Sequence, residues 1–131
     1  MHAEPDPVIQ LTVICRAEYV SVVRLAVLGI CGRIPLTYDE VEDLRLAVGE
    51  ACASAVERSC QADAANAHIL MSVWVCSDRI VLDISDDVPL PPEPDDFRAS
   101  LMQLLVDEMS VSETESGGQI VRLVKNCKLP A

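Results

Sequence analysis

Aromatic side chains are almost missing from this chain: it has one Trp, one Phe and two Tyr in 131 residues. A core must therefore be built from Val, Leu, Ile, Ala and Cys. Half of the residues are hydrophobic, which suffices for one packed domain. Long apolar runs are also missing, and none reaches the length of a membrane-spanning helix. The opening MHAEPDPVIQ has no basic region followed by an apolar stretch. No secretory signal is expected, and the chain reads as cytoplasmic. Positive charge is scarce, with 10 Lys and Arg against 21 Asp and Glu, a net of −11. Such a surface repels nucleic acid and anionic membranes and attracts a partner with a basic surface. Paired metal-ligand spacings are missing too. Cys15, Cys31, Cys52, Cys60, Cys76 and Cys127 form no C-x-x-C pair, and His2 and His68 make no motif with them. Zinc sites bring ligands in closely spaced pairs. The cysteines are therefore expected as buried, reduced thiols acting as small hydrophobes, with a cysteine-based redox or metal sensor as the alternative.

What is present divides cleanly into elements. Residues 1–7 hold two prolines and two acids and predict a flexible arm. VIQLTVIC, from Val8 to Cys15, is rich in β-branched residues and predicts a strand. In the next stretch Val20, Val23, Val27 and Ile30 recur at helical spacing up to a stop near Gly32. The segment from Leu36 to Cys60 is the clearest helix. Thr37 followed by Glu40 forms a capping box, and Val41, Leu44, Val48, Ala51 and Ala55 line one apolar face. AHILMSVWVC and RIVLDIS read as two strands of a hairpin, with Trp74 on its core side, and FRASLMQLLVDEM reads as a third helix. Two further strands surround a turn at Gly117 and Gly118. The order β-α-α-β-β-α-β-β predicts an α/β two-layer sandwich: a mixed, mainly antiparallel sheet with three helices on one face. Residues 8–131 form its single domain.

The stretch AEYVSVVRLAVLGICGRIPLTYDEVEDLRLAVGEACASAV, Ala17 to Val56, resembles the first half of RsbW-type anti-sigma factors. These are serine kinases of the GHKL (histidine-kinase-like) ATPase superfamily. The likeness resumes more weakly in SDRIVLDISDD, in LMQLLVDEMSV and in the final strands. It implies a Bergerat-type fold, Mg-ATP as cofactor in active members, and homodimers. It also implies two partners: a sigma factor held away from RNA polymerase, and a STAS-type anti-anti-sigma protein that is phosphorylated on serine. The resemblance places Glu50 at the family's catalytic acid, Ser54 at the magnesium-binding Asn, Asp86 at the adenine-contacting Asp, and Arg24 at the Arg that touches sigma factor and antagonist.

Three departures accompany it. Ser54 is shorter than the Asn it replaces. Val88 stands two residues after Asp86, where the family has Gly, and a β-branched residue resists the backbone angles that Gly permits. The phosphate-cradling lid is reduced to Asp87–Asp96, proline-rich and acidic, and no glycine occurs between Gly49 and Gly117. The leading expectation is a regulator that sequesters its partner without ATP, in which Glu50, Ser54 and Asp86 are vestigial and no cofactor is held. The alternative is an active kinase with Glu50 as base, Ser54 as metal ligand and Asp86 on adenine. Each residue also has a plainer reading: Glu50 as a solvated acid, Asp86 and Asp87 as turn residues ending a strand, and Arg24 as an exposed charge.

Overall fold

The structure, a computed structural model, describes residues 5–89 and 96–127. Its elements follow the expected order: β1 (Ile9–Ile14), α1 (Ala17–Cys31), α2 (Tyr38–Gln61), β2 (His68–Val75), β3 (Arg79–Asp86), α3 (Asp96–Leu105), β4 (Glu108–Glu113) and β5 (Gln119–Asn126). The strands form one sheet in the order β1-β2-β3-β5-β4. All four pairings are antiparallel, so the parallel component of the expected mixed sheet is not found among the described residues. The helices make the second layer. α2 lies across β3 and β5, α1 packs on β1 and α3 on β4, with α2 between the other two.

Strand alternation sets what the site can use. Ile69, Met71 and Val73 of β2, Ile80, Leu82 and Ile84 of β3, and Val121 and Leu123 of β5 are buried towards the helices. Asp86 continues the β3 row one step beyond Ile84, so its carboxylate enters the layer between sheet and helices. The opposite face of the sheet is closed by its own side chains. Arg122 pairs with Asp83 at 2.8 and 2.9 Å and lies over the ring of Trp74. Trp74 is thus half-buried on the helix-free face rather than in the core, and its indole N–H donates to the Pro5 carbonyl at 2.7 Å. That bond ties down the described end of the expected arm, whose residues 1–4 lie outside the described residues.

The capping box forms as expected. The Thr37 hydroxyl accepts from Glu40 N–H at 3.1 Å and Glu40 accepts from Thr37 N–H at 2.8 Å, together stabilising the helix start by about 1 kcal/mol. α3 is shorter than its apolar pattern suggests. Glu108 and Met109 leave the helix to pair with Val124 and Leu123, and the Lys125 ammonium donates to the Leu105 carbonyl at 3.0 Å, closing the helix end.

Four cysteines are buried as expected, but Cys60, at the end of α2, and Cys76, in the β2–β3 turn, are exposed. Burial raises the Cys31 thiol from 9.0 to about 11, with Cys127 nearby adding to it, and raises Cys52 to about 12, with Cys15 adding. Folding therefore favours the neutral thiols. Their stabilisation is complete below the ordinary value of 9.0 and is lost as pH rises through about 11 and 12. Urea midpoints should hold steady up to mildly alkaline pH and then fall; a flat profile through pH 12 contradicts this reading. A thiol reagent on the native protein should find two fast groups, Cys60 and Cys76.

Candidate functional site

α2 brings Glu50, Ser54, Glu57 and Arg58 to one side of the helix, at spacings of one and two turns. Asp86 reaches the same region from the end of β3. Three of the four residues singled out in the sequence, Glu50, Ser54 and Asp86, therefore meet along one line, but two arginines stand among them.

Arg58 is the first. It is buried at 6 % exposure, and Asp86 at 7 %. Its Nη1 donates to Asp86 Oδ1 at 3.0 Å and its Nη2 to Asp86 Oδ2 at 2.7 Å, a two-pronged pair. Nη1 also donates to the Val88 carbonyl at 3.0 Å, and Nε reaches the Ser54 hydroxyl at 3.4 Å. The Val88 N–H donates to Asp86 Oδ1 at 3.1 Å, and the Val88 side chain is fully buried. Both carboxylate oxygens of Asp86 and the Ser54 hydroxyl are thus engaged inside the protein. Asp87 behaves as a strand-ending residue: its carboxylate accepts from His68 N–H at 2.9 Å. Gly118 backs this corner. A Cβ on it would stand 2.0 Å from the Asp86 carbonyl oxygen, so the β4–β5 turn and the end of β3 touch backbone to backbone.

Arg98 of α3 is the second. Its Nε donates to Glu50 at 3.1 Å, and Nη1 and Nη2 donate to the two oxygens of Glu57, each at 3.0 Å. The hydrogen bond to Glu57 is the main cause of the raised Arg98 pKa, with burial opposing it. Glu50 is therefore an ion-pair partner joining α2 to α3 rather than an acid facing only water.

Arg24 lies apart from this line, on α1. Its stem runs against Gly49, where a Cβ would sit 3.5 Å from Arg24 Cδ. Its Nε is buried and has no hydrogen-bond partner among the described residues. It borders a groove of about 400 Å³ between α1 and α2, whose far wall carries Glu50 and Glu57. Among the described residues no group of three or more His, Cys, Asp and Glu side chains could hold a metal ion, and no helix is long and apolar enough to cross a membrane.

Residues 15–125 match the family model described as the histidine kinase-like ATPase domain. The chain belongs to this family. Among curated members it is similar to the serine-protein kinase RsbW of Bacillus subtilis, 37 % identical over 79 residues, covering 60 % of this chain and 49 % of that one. RsbW of Halalkalibacterium halodurans is 42 % identical over 59 residues, covering 45 % and 36 %. The chain spans about half the length of the first of these relatives. A crystal structure of the RsbU and RsbW domains of a Mycobacterium tuberculosis protein shares the family fold. It superposes with a TM-score of 0.74 at 17 % identity, over 95 % of this chain and 34 % of that one.

The sequence pointed to the family and to Glu50, Ser54 and Asp86, but not to Arg58 and Arg98. Arg58 sits four residues after Ser54 and eight after Glu50. That periodicity was the available signal: it places a guanidinium on the face of α2 that carries Glu50 and Ser54.

Proposed function

We propose that this member of the family is an RsbW-like anti-sigma regulator that acts by protein–protein sequestration, without binding ATP and without kinase activity. The observation that carries the reading is the Arg58–Asp86 pair. A nucleotide held in the family manner needs a free Asp86 to accept from the adenine amino group. Here the guanidinium supplies two donors to that carboxylate and the Val88 N–H a third. Exposing Asp86 to a ligand would strand a buried arginine, at a cost of several kcal/mol. The other parts of the site agree. Ser54 faces Arg58, Glu50 is paired with Arg98, and a fully buried Val88 stands at the family's glycine. The residues present do not fit Mg-ATP. Positions 90–95 of the shortened lid lie outside the described residues.

Partner binding would fall to the α1–α2 groove. A buried Arg24 N–H without an acceptor is unfavourable by about 1–3 kcal/mol, and an acceptor brought by a partner removes that cost. Leu25 and Leu46, both exposed, stand on the same two helices and offer apolar contact. The sigma factor or its STAS-type antagonist is the occupant that the family resemblance implies. Binding of a sigma factor and a STAS protein from the same genome should be unchanged by Mg-ATP and weakened about tenfold or more by Arg24→Ala, in a variant that unfolds normally. Full affinity in that variant removes Arg24 from the interface. Serine phosphorylation of the STAS protein would establish the kinase reading instead.

A further inference from the structure

We propose that Cys60 and Cys15 form a hydroperoxide-reactive thiol pair. The exposed Cys60 is oxidised first, and the buried Cys15 then closes a disulfide onto it, linking the last turn of α2 to the end of β1.

A second groove, of about 490 Å³, runs between the start of α1 and the last turns of α2. Cys15 and Cys60 both line it, so two thiols distant in sequence meet at one cavity. They stand in it differently: Cys60 is exposed, whereas Cys15 is 5 % exposed. The Cys15 backbone is held by its N–H, which donates to the Ala67 carbonyl at 2.8 Å. Its thiol is hydrogen-bonded to the Ser59 side chain, and Ser59 is the chain neighbour of Cys60. Adjacent Cα atoms are about 3.8 Å apart, so Cys60 stands one residue from the contact that Cys15 already makes. It also lies in the last turn of α2, which ends at Gln61, where few helical bonds oppose a small rotation.

Cys76, the other exposed thiol among the described residues, lacks such a partner. Its N–H donates to the Arg79 carbonyl on the β2 side of β3, while the Cys127 N–H donates to the Asp78 carbonyl on the β5 side. Strands on either side of a third are about 9.5 Å apart, beyond the Cα separation of about 7 Å that a disulfide spans.

Burial, with Asp86 adding to it, raises the Cys15 thiol above 9.0 against the Ser59 hydrogen bond. Cys15 therefore stays neutral and shielded, and oxidation starts at Cys60. The Cys60 thiolate attacks one oxygen of the hydroperoxide: an S–O bond forms, the O–O bond breaks, and water or an alcohol leaves with a proton. The Cys15 sulfur then attacks the Cys60 sulfur. An S–S bond forms, the S–O bond breaks, and the departing hydroxide takes the Cys15 proton as water. The two thiols lose two electrons and the hydroperoxide gains them. Arg16 faces Glu18 and Asp63 in this groove, so its net charge is negative and favours a neutral peroxide over an anionic disulfide such as oxidised glutathione. Ala17 and Val56 line this groove and the α1–α2 groove alike, so the bond forms beside the surface proposed for partners. The bond itself does not rest on that proposal.

Hydrogen peroxide treatment of the reduced whole chain, followed by alkylation and mass mapping, tests this. The product should be a single chain lighter by two hydrogens, with the Cys15 and Cys60 peptides joined and the link undone by a dithiol. Cys60→Ser should slow the oxidation of Cys15 by about tenfold or more. Cys15→Ala should leave a sulfenic acid at Cys60 that dimedone traps. Cys76→Ser should leave the rate of linkage unchanged. Complete oxidation of Cys60 without a bond to Cys15 overturns the inference, as does a bond from Cys60 to Cys76 or to a second chain in its place. So does a Cys15 oxidised as fast without Cys60 as with it. The wild-type map and the exposed Cys60→Ser decide the matter even where Cys15→Ala fails to fold.

Discussion

Arg58→Ala should destabilise the fold by about 3–5 kcal/mol, because it leaves the Asp86 carboxylate buried with no countercharge. The pair is not a surface ion pair of the kind worth at most about 1 kcal/mol. Its side chains are only 7 % and 2 % exposed, and the bond is two-pronged. Asp86→Ala should cost a similar amount, by stranding the guanidinium and leaving the Val88 N–H with one acceptor fewer. The two losses should not add. Replacing Arg58 by Met and Asp86 by Leu together removes both charges and should cost far less than the sum of the single truncations. Urea denaturation of the four proteins measures this coupling. Additive losses, or single losses below about 1 kcal/mol, would mean that water enters the pair and that Asp86 is accessible after all.

Gly118→Ala should be the second most damaging change, costing about 3 kcal/mol or more. The added methyl would stand 2.0 Å from the Asp86 carbonyl oxygen, 2.8 Å from its carbonyl carbon and 2.9 Å from Asp87 Cα. All three are backbone atoms of a paired strand end, so no side chain can swing aside. Gly117 next to it is the control. It adopts φ +88 but has nothing within 4 Å of its Cβ position, so alanine there meets only backbone strain of about 1–2 kcal/mol. Thermal melts of both variants give the comparison. Equal losses would show that turn conformation, rather than contact with Asp86, governs this corner.

Local rules carried most of the fold. The capping box at Thr37, the apolar face of α2 and the hairpin turn between β2 and β3 are each read from neighbouring residues, and each forms as read. The failures lie where distant residues decide. The apolar pattern of α3 runs on through Met109, but pairing of Glu108 with Val124 ends the helix, and no local signal carries that. Trp74 alternates with core residues, yet alternation cannot say which face of a strand the helices will cover. The two exposed cysteines, at a helix end and in a tight turn, were within reach of turn logic; hydrophobic counting hid them.

The same division runs through the site. Helical spacing put Glu50 and Ser54 together, and the family resemblance added Asp86. Nothing local says that Arg58 would reach Asp86, 28 positions away, or that Arg98 would reach Glu50 and Glu57. Those contacts depend on how far β3 extends beneath α2 and where α3 lies beside it. The glycine at 118 reads as a turn residue, but its role as a backbone contact for Asp86 appears only once β3 and β5 are side by side.

Calorimetric titration of the purified chain with Mg-ATP tests the central claim most directly. With Asp86 held by Arg58 and Val88, no saturable heat is expected up to millimolar nucleotide, a binding energy weaker than about 4 kcal/mol. Saturable binding with a micromolar dissociation constant would contradict the account. It would mean that the Arg58–Asp86 pair opens for the nucleotide, and that this chain keeps the ATP site of its family.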